Sequence, residues 1–178
     1  MIEVEAKFKI SDPKPFRLKA RHLGKFIGKE NKIDDYYTLS SLNKYSKKSL
    51  RIREKKEYYE VNFKKGLSYT GGVHAKNEIE FRVSNISGFL ELIKDLGFRK
   101  WLSKEKISEV YRIKDNFSIE INNVRGLGWF IEVEYLAKPK EIARARKAVI
   151  ETAKKLGLKD KDAVKAGYTK LLWNKKRN

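Results

Sequence analysis

The feature that most constrains this chain is a strict two-residue alternation. In MIEVEAKFKI, one set of alternate residues is Ile2, Val4, Ala6, Phe8 and Ile10, and the other is Glu3, Glu5, Lys7 and Lys9. A period of two sends successive side chains to opposite sides of a pleated strand, so this segment is read as a β-strand with one apolar and one charged face. The pattern returns in SLRIRE, YYEVNFKK, NEIEFRV, LSKEKISEVYRI, FSIEIN and FIEVEYL. Such strands build an antiparallel sheet, and the alternation leaves open whether their charged faces meet water or line a site.

Helical segments separate the strands. Ser11 or Asp12 can cap the first, Pro13 suits its first turn, Phe16, Ala20 and Leu23 share a face, and Gly24 stops it. A second carries Phe89, Leu92, Ile93 and Leu96 toward a core and ends at Gly97. The third has a stripe of Ile142, Ala145, Val149, Ala153 and Leu156 and ends at Gly157, and a short fourth is expected to begin at Asp160. The Gly-rich stretch GLSYTGGVHAKN, residues 66–77, reads as a mobile connector. Glu3, Glu5 and Lys7 recur 75 residues later as Glu78, Glu80 and Arg82, and Asp34 and Tyr36 as Glu109 and Tyr111, a pattern expected of an internal duplication.

Composition narrows the classes. With 178 residues and 40% apolar content the chain can bury a core and is read as one domain, 1–178, despite 37% charged residues. There is no cysteine, hence no disulfide framework and no thiolate chemistry. No apolar run is long enough to span a bilayer, and Met1 leads straight into a strand without a signal-peptide pattern, so a cytoplasmic location is expected, with no membrane partner. The formal charge of +19 points to anionic ligands. No helix-turn-helix, zinc-finger or RNP-type signature accompanies it, so nucleic acid is not the favoured partner.

The charged faces group by strand: Glu3, Glu5 and Lys7; Arg51 and Arg53; Glu60, Asn62 and Lys64; Glu78, Glu80 and Arg82; Lys104 and Lys106; Glu120 and Asn122; Glu132 and Glu134. The i,i+2 spacing places paired side chains on one face, roughly 6–7 Å apart. Two carboxylates at that distance repel each other and are better placed around a divalent cation with hard oxygen ligands, Mg²⁺ or Mn²⁺. Paired Arg and Lys supply what a polyphosphate needs. On inward faces of a closed barrel these groups describe a metal–polyphosphate site; on an open sheet they describe a solvated surface.

Several segments, in order, resemble the CYTH superfamily, the triphosphate tunnel metalloenzymes. EVEAK (Glu3 to Lys7) is similar to its ExExK signature, and KIDDYY to its QxDxYF, with Asp34 and Tyr36 in place. LRIR, VNFKKG, KNEIE, KEK, IEINNVRGLGWFIEVE and GYTKLL continue the resemblance almost to the end of the chain. It implies an α+β fold: a closed eight-stranded antiparallel β-barrel forming a tunnel, with helices packed outside. It also implies Mg²⁺ or Mn²⁺ held by Glu3, Glu5, Glu78, Glu80, Glu120, Asn122, Glu132 and Glu134. Triphosphate binding falls to Lys7, Arg51, Arg53, Lys64, Lys76, Arg82, Lys104 and Lys106, and catalysis to Lys7, Glu5 and Glu134, Lys7 orienting or activating the attacking water. The chain departs from the family pattern with Asn122 in place of an Asp, Lys76 and Lys106 where Arg is common, and Lys32 where Gln is common.

The resemblance implies an enzyme of phosphoryl or nucleotidyl transfer. The first reading is a metal-dependent triphosphatase acting on inorganic or organic triphosphate: tripolyphosphate, ATP or thiamine triphosphate. The second is a class IV adenylyl cyclase converting ATP to cyclic AMP and pyrophosphate; no sequence feature demands an adenine pocket. The third is a polyphosphate or RNA binder without turnover. A homodimer is compatible with all three.

Overall fold

The computed structural model describes residues 1–177, the side chains of Lys65 and Leu67 excepted. Its strands are β1 (Ile2–Ile10), β2 (Lys25–Thr38), β3 (Leu50–Glu54), β4 (Tyr59–Thr70), β5 (Val73–Val83), β6 (Arg99–Lys114), β7 (Phe117–Val124) and β8 (Gly128–Ala137). They close into an antiparallel barrel in the order β1-β5-β4-β3-β2-β6-β7-β8. The helices are α1 (Lys14–Leu23), α2 (Ile86–Asp95), α3 (Ile142–Leu156) and α4 (Tyr168–Lys175). No helix among the described residues is long and apolar enough to cross a membrane.

The barrel is inside-out relative to a typical small domain. Val4, Ala6 and Phe8 of β1 point outward and are buried under α3 together with Ile119, Ile121, Ile131 and Val133. The helical stripe expected for α3 is in place, with Ala145, Val149, Ala153 and Leu156 buried, and Gly157 ends the helix at φ 86°, a left-handed value that glycine adopts without strain. The apolar core therefore lies between the outer wall and α1 and α3, and the charged strand faces are left to the interior. A second cluster joins α2 to the wall through Ile52, Val61 and Ile93. A third, of Val124, Phe130 and Tyr168 with Leu127, Val164 and Leu171, stops one end of the interior with α4.

Three sequence expectations change in three dimensions, and one is sharpened. Residues 66–77 are not a connector: β4 runs to Thr70, β5 starts at Val73, and Gly71 and Gly72, at φ 56° and 78°, make a two-residue turn. Gly24 stops α1 as expected, with extended φ, and an added Cβ there would meet the Arg112 carbonyl group at 2.9 Å, so close strand approach requires it. Leu92 and Leu96 of the second helical segment are exposed because only one side of α2 meets the wall. Asp160–Asp162 forms only a 3₁₀ turn, and the fourth helix starts at Tyr168.

Candidate active site

Closure turns the charged columns of all eight strands into one cavity of about 690 Å³. Its lining contains eight carboxylates, nine Lys or Arg side chains, three tyrosines and His74, with Met1 and Leu136 as its only large apolar contributors among the described residues. The two signs nearly balance there, so almost all of the +19 charge lies outside the cavity. Buried charges persist only when partnered, and most here are. Lys64 is paired with Glu3 and Glu78, Lys76 with Glu5, and Arg51 with Glu60. Lys7 Nζ lies 3.1 Å from Glu132 and 4.2 Å from the centre of the Tyr168 ring.

Two cross-strand carboxylate pairs stand out. Antiparallel register sets Glu120 of β7 opposite Glu132 of β8, and Glu134 of β8 opposite Glu5 of β1. Like charges directly opposite are unfavourable. The first pair is bridged: Lys106 Nζ donates to Glu120 Oε2 at 2.9 Å and to Glu132 Oε2 at 3.0 Å, and Lys32 donates to Glu120 Oε1 at 2.7 Å. Burial pushes both acids up, but Lys106, with Lys32 on Glu120 and Lys7 on Glu132, overcomes it and holds each down at about 2.

The second pair is not bridged. Burial raises Glu5 also, but Lys7 and Lys76 bring it down to about 2. No ion pair or hydrogen bond engages the Glu134 carboxyl among the described residues. Burial first, then Glu3, Glu120 and Glu5, push it well above the ordinary carboxylate range. A proton or a cation must satisfy it. Glu3 Oε1 nearby is buried and accepts no hydrogen bond. These oxygens are the hard donors a small divalent cation takes. No three His, Cys, Asp or Glu side chains among the described residues already form a metal-sized cage. The donor chemistry nevertheless fits Mg²⁺ or Mn²⁺ at Glu3, Glu5 and Glu134, with water or substrate oxygens completing the shell.

The sequence-derived candidates are distributed as follows. Glu3, Glu5, Lys7, Arg51, Arg53, Lys64, Lys76, Glu78, Glu80, Lys104, Lys106, Glu120, Glu132 and Glu134 share the cavity lining. Arg82 is exposed on the far end of β5 and lies over the Tyr58 ring, 4.3 Å from its centre. β5 pairs with β1 only as far as Asn77, so its last residues run beyond that wall. Asn122 is fully buried beyond the lining, donating to Glu132 Oε2 at 2.7 Å and more weakly to the Tyr168 hydroxyl at 3.5 Å. Of the duplicated pair, Asp34 faces inward, whereas Glu109 faces α1 and accepts two bonds of 2.8 Å from Arg17. The strand–helix–strand order of β1-α1-β2 does recur in β5-α2-β6.

Lys32, Glu60, Asn62 and Tyr168 line the cavity without having been chosen from the sequence as site residues. Glu60 and Asn62 sit in the same alternating column as Lys64, and Lys32 two residues before Asp34; extending the period would have found them. Tyr168 comes from α4, outside any alternation, and its only signal was the resemblance of GYTKLL to the family's closing segment.

Comparison with known proteins agrees with this geometry. The CYTH domain model matches residues 1–168, and the chain belongs to that family. A Methanocaldococcus jannaschii protein named as a candidate adenylate cyclase is 29% identical over 174 residues, 96% of this chain and 98% of that one. The Pyrococcus horikoshii PH1819 structure superposes with a TM-score of 0.81 at 27% identity, covering 97% of this chain and 99% of that one. A Hippeastrum protein named as a candidate adenylyl cyclase, and described as having a dominant triphosphatase activity, shares the fold at TM-score 0.67 and 15% identity, covering 97% of this chain and 96% of that one.

Proposed function

We infer that this protein is a divalent-metal-dependent triphosphatase that binds a triphosphate inside the barrel. The observation that carries the reading is the lining itself: eight carboxylates and nine Lys or Arg side chains facing one another in a single enclosed cavity. A triphosphate offers closely spaced oxygens along a chain, and its metal complex offers both signs. Each lysine now paired with a carboxylate has a phosphate oxygen as its alternative partner, so binding exchanges one set of ion pairs for another without exposing a buried charge.

Glu3, Glu5 and Glu134 would hold Mg²⁺ or Mn²⁺. When bound, the metal neutralises charge on the phosphates and lowers the pKa of a coordinated water. Arg51 and Arg53 grip phosphate oxygens with planar forks; Lys64, Lys76, Lys104 and Lys106 act as point charges. Lys7, held between Glu132 and the Tyr168 ring, keeps its ammonium aimed into the cavity. There it orients the attacking water or stabilises charge growing on the reacting phosphoryl group.

A cyclase would also need a slot for a purine, and nucleotide pockets present apolar or aromatic faces to the base. Among the described residues this lining offers three tyrosines and no Phe, Trp, Val or Ile. That favours hydrolysis over cyclisation, although the Methanocaldococcus jannaschii relative is named for the cyclase. Enclosure of the strand-face cations likewise favours a small polyanion over an extended nucleic acid. Incubation with Mg²⁺ or Mn²⁺ and either tripolyphosphate or ATP, followed by product identification, decides. Orthophosphate without cyclic AMP is expected; cyclic AMP with pyrophosphate overturns the hydrolase, and no product from any triphosphate overturns both enzymatic readings.

A further inference from the structure

Asp34 occupies a singular place in the barrel wall. Register sets Arg53 of β3 opposite it on one side and Lys104 of β6 opposite it on the other. Both turn their charges onto it. Arg53 donates from Nε to Oδ1 at 2.6 Å and from Nη2 to Oδ2 at 3.0 Å, and Lys104 Nζ lies 2.7 Å from Oδ2. The Tyr36 hydroxyl adds a long bond of 3.5 Å. Asp34 itself is 0% exposed and does not line the cavity, whereas Arg53, Lys104 and Tyr36 do. It cannot touch a ligand in the tunnel except through these neighbours.

The geometry points to Asp34 as a positioning residue that locks Arg53 and Lys104 into a two-cation grip on one phosphoryl group of the bound triphosphate. The inference rests on the triphosphate reading of the cavity. Two cations on adjacent wall strands repel each other and would diverge without a shared anion. One carboxylate beneath them fixes both directions and leaves one net positive charge facing the cavity. The Arg53 fork is satisfied edge-on by Asp34, so its remaining N–H groups are free to point at an anion.

Lys104 depends on that carboxylate for its charge as well. The groups that face it are Asp34 and Tyr36 from β2, Arg53 from β3, Lys106 on its own strand and Tyr168 from α4. Burial, with Lys106 and Arg53 adding to it, pushes its ammonium down to about 7, and Asp34 opposes the shift. Lys106, bridged by two glutamates, is driven the other way. Ligand affinity should therefore fall as pH rises through neutrality, when Lys104 loses its proton. Neutralising Asp34 should move that limb to lower pH.

The test is calorimetric titration of the metal-free protein with tripolyphosphate from about pH 6 to about pH 9, for the wild type, Asp34→Asn and Asp34→Glu. The ligand's own protonation is common to all three and cancels in the comparison. Asp34→Asn is expected to bind roughly tenfold or more weakly at neutral pH and to regain affinity on acidification, and Asp34→Glu to restore most of the binding. Equal affinity and an equal pH profile in Asp34→Asn would overturn the inference while leaving triphosphate binding intact. A wild type that binds no tripolyphosphate would overturn both. Should Asp34→Asn not fold, the cycle of Arg53→Lys, Lys104→Arg and the double variant gives a second readout. Strongly non-additive losses of tripolyphosphate affinity are expected of two cations locked by one carboxylate, and additive losses would sink the inference.

Discussion

Glu120–Glu132 and Glu5–Glu134 are the same arrangement built twice, two carboxylates set opposite each other across neighbouring strands, and the protein treats them in opposite ways. Lys106 lies between the first two and bonds to both. In the second, Lys7 and Lys76 serve Glu5, and no ion pair or hydrogen bond among the described residues serves Glu134. The first pair is closed, its repulsion already cancelled from within. The second is left with a carboxyl that neither ionises comfortably nor finds a cation, a cost that a proton or an external cation removes. Where a barrel neutralises its acids internally it builds wall; where it withholds the cation it keeps a binding position.

The comparison breaks most sharply at Lys106. Lys106→Ala strips the closed pair of its bridge and leaves two buried like charges facing each other. A loss of about 3–5 kcal/mol is expected in urea unfolding. A loss under about 1 kcal/mol would mean that Lys32 and Lys7 suffice. Next in size is the effect of Glu134→Gln on turnover. Tripolyphosphate hydrolysis with Mg²⁺ should drop at least tenfold, about 1.4 kcal/mol of transition-state stabilisation. The rise in melting temperature that Mg²⁺ gives the wild type should shrink with it. An unchanged rate would remove Glu134 from the site.

The same substitution should stabilise the metal-free protein, by about 0.5–2 kcal/mol at neutral pH. The folded-state pKa of Glu134 is raised, so the folded protein holds a proton that the unfolded chain gives up. Stability from this group falls as pH climbs above the ordinary carboxylate range, and Glu134→Gln should flatten that slope. Glu120 and Glu132 work with the opposite sign: held at about 2, they contribute stability that is present above the ordinary carboxylate range and lost as pH falls toward 2. Denaturation midpoints measured across pH separate the two. The smallest effect belongs to Arg82. Arg82→Ala should change stability by less than about 0.5 kcal/mol and turnover by less than about twofold, because the side chain stands outside the cavity.

Much of this was legible in the chain. The alternation in IEVEAKFKI and in the six other quoted stretches marks seven of the eight strands. β2 escaped because its outer side carries Lys29, Asn31 and Asp35, with little apolar patterning and no helix laid along that stretch. The inward direction of the charges came from family resemblance, since the same alternation also describes a wetted sheet. Arg82 shows how period alone misleads: it has the right parity, but β5 outruns its neighbour there. The internal repeat misleads in the same way. The offset of 75 that carries the inward Glu3 and Glu5 onto the inward Glu78 and Glu80 carries the inward Asp34 onto Glu109, which faces α1.

The sequence by itself determined which charges share a face, because a strand has a period of two and side chains cannot change sides without moving the backbone. Only closure of the barrel decided which charge answers which. β1 and β8 are neighbours through the fold alone, and that contact sets Glu5 against Glu134 with no lysine among the described residues bridging the two. Partnering of buried charges depends on distances of a few ångströms between distant segments, and no local pattern encodes it.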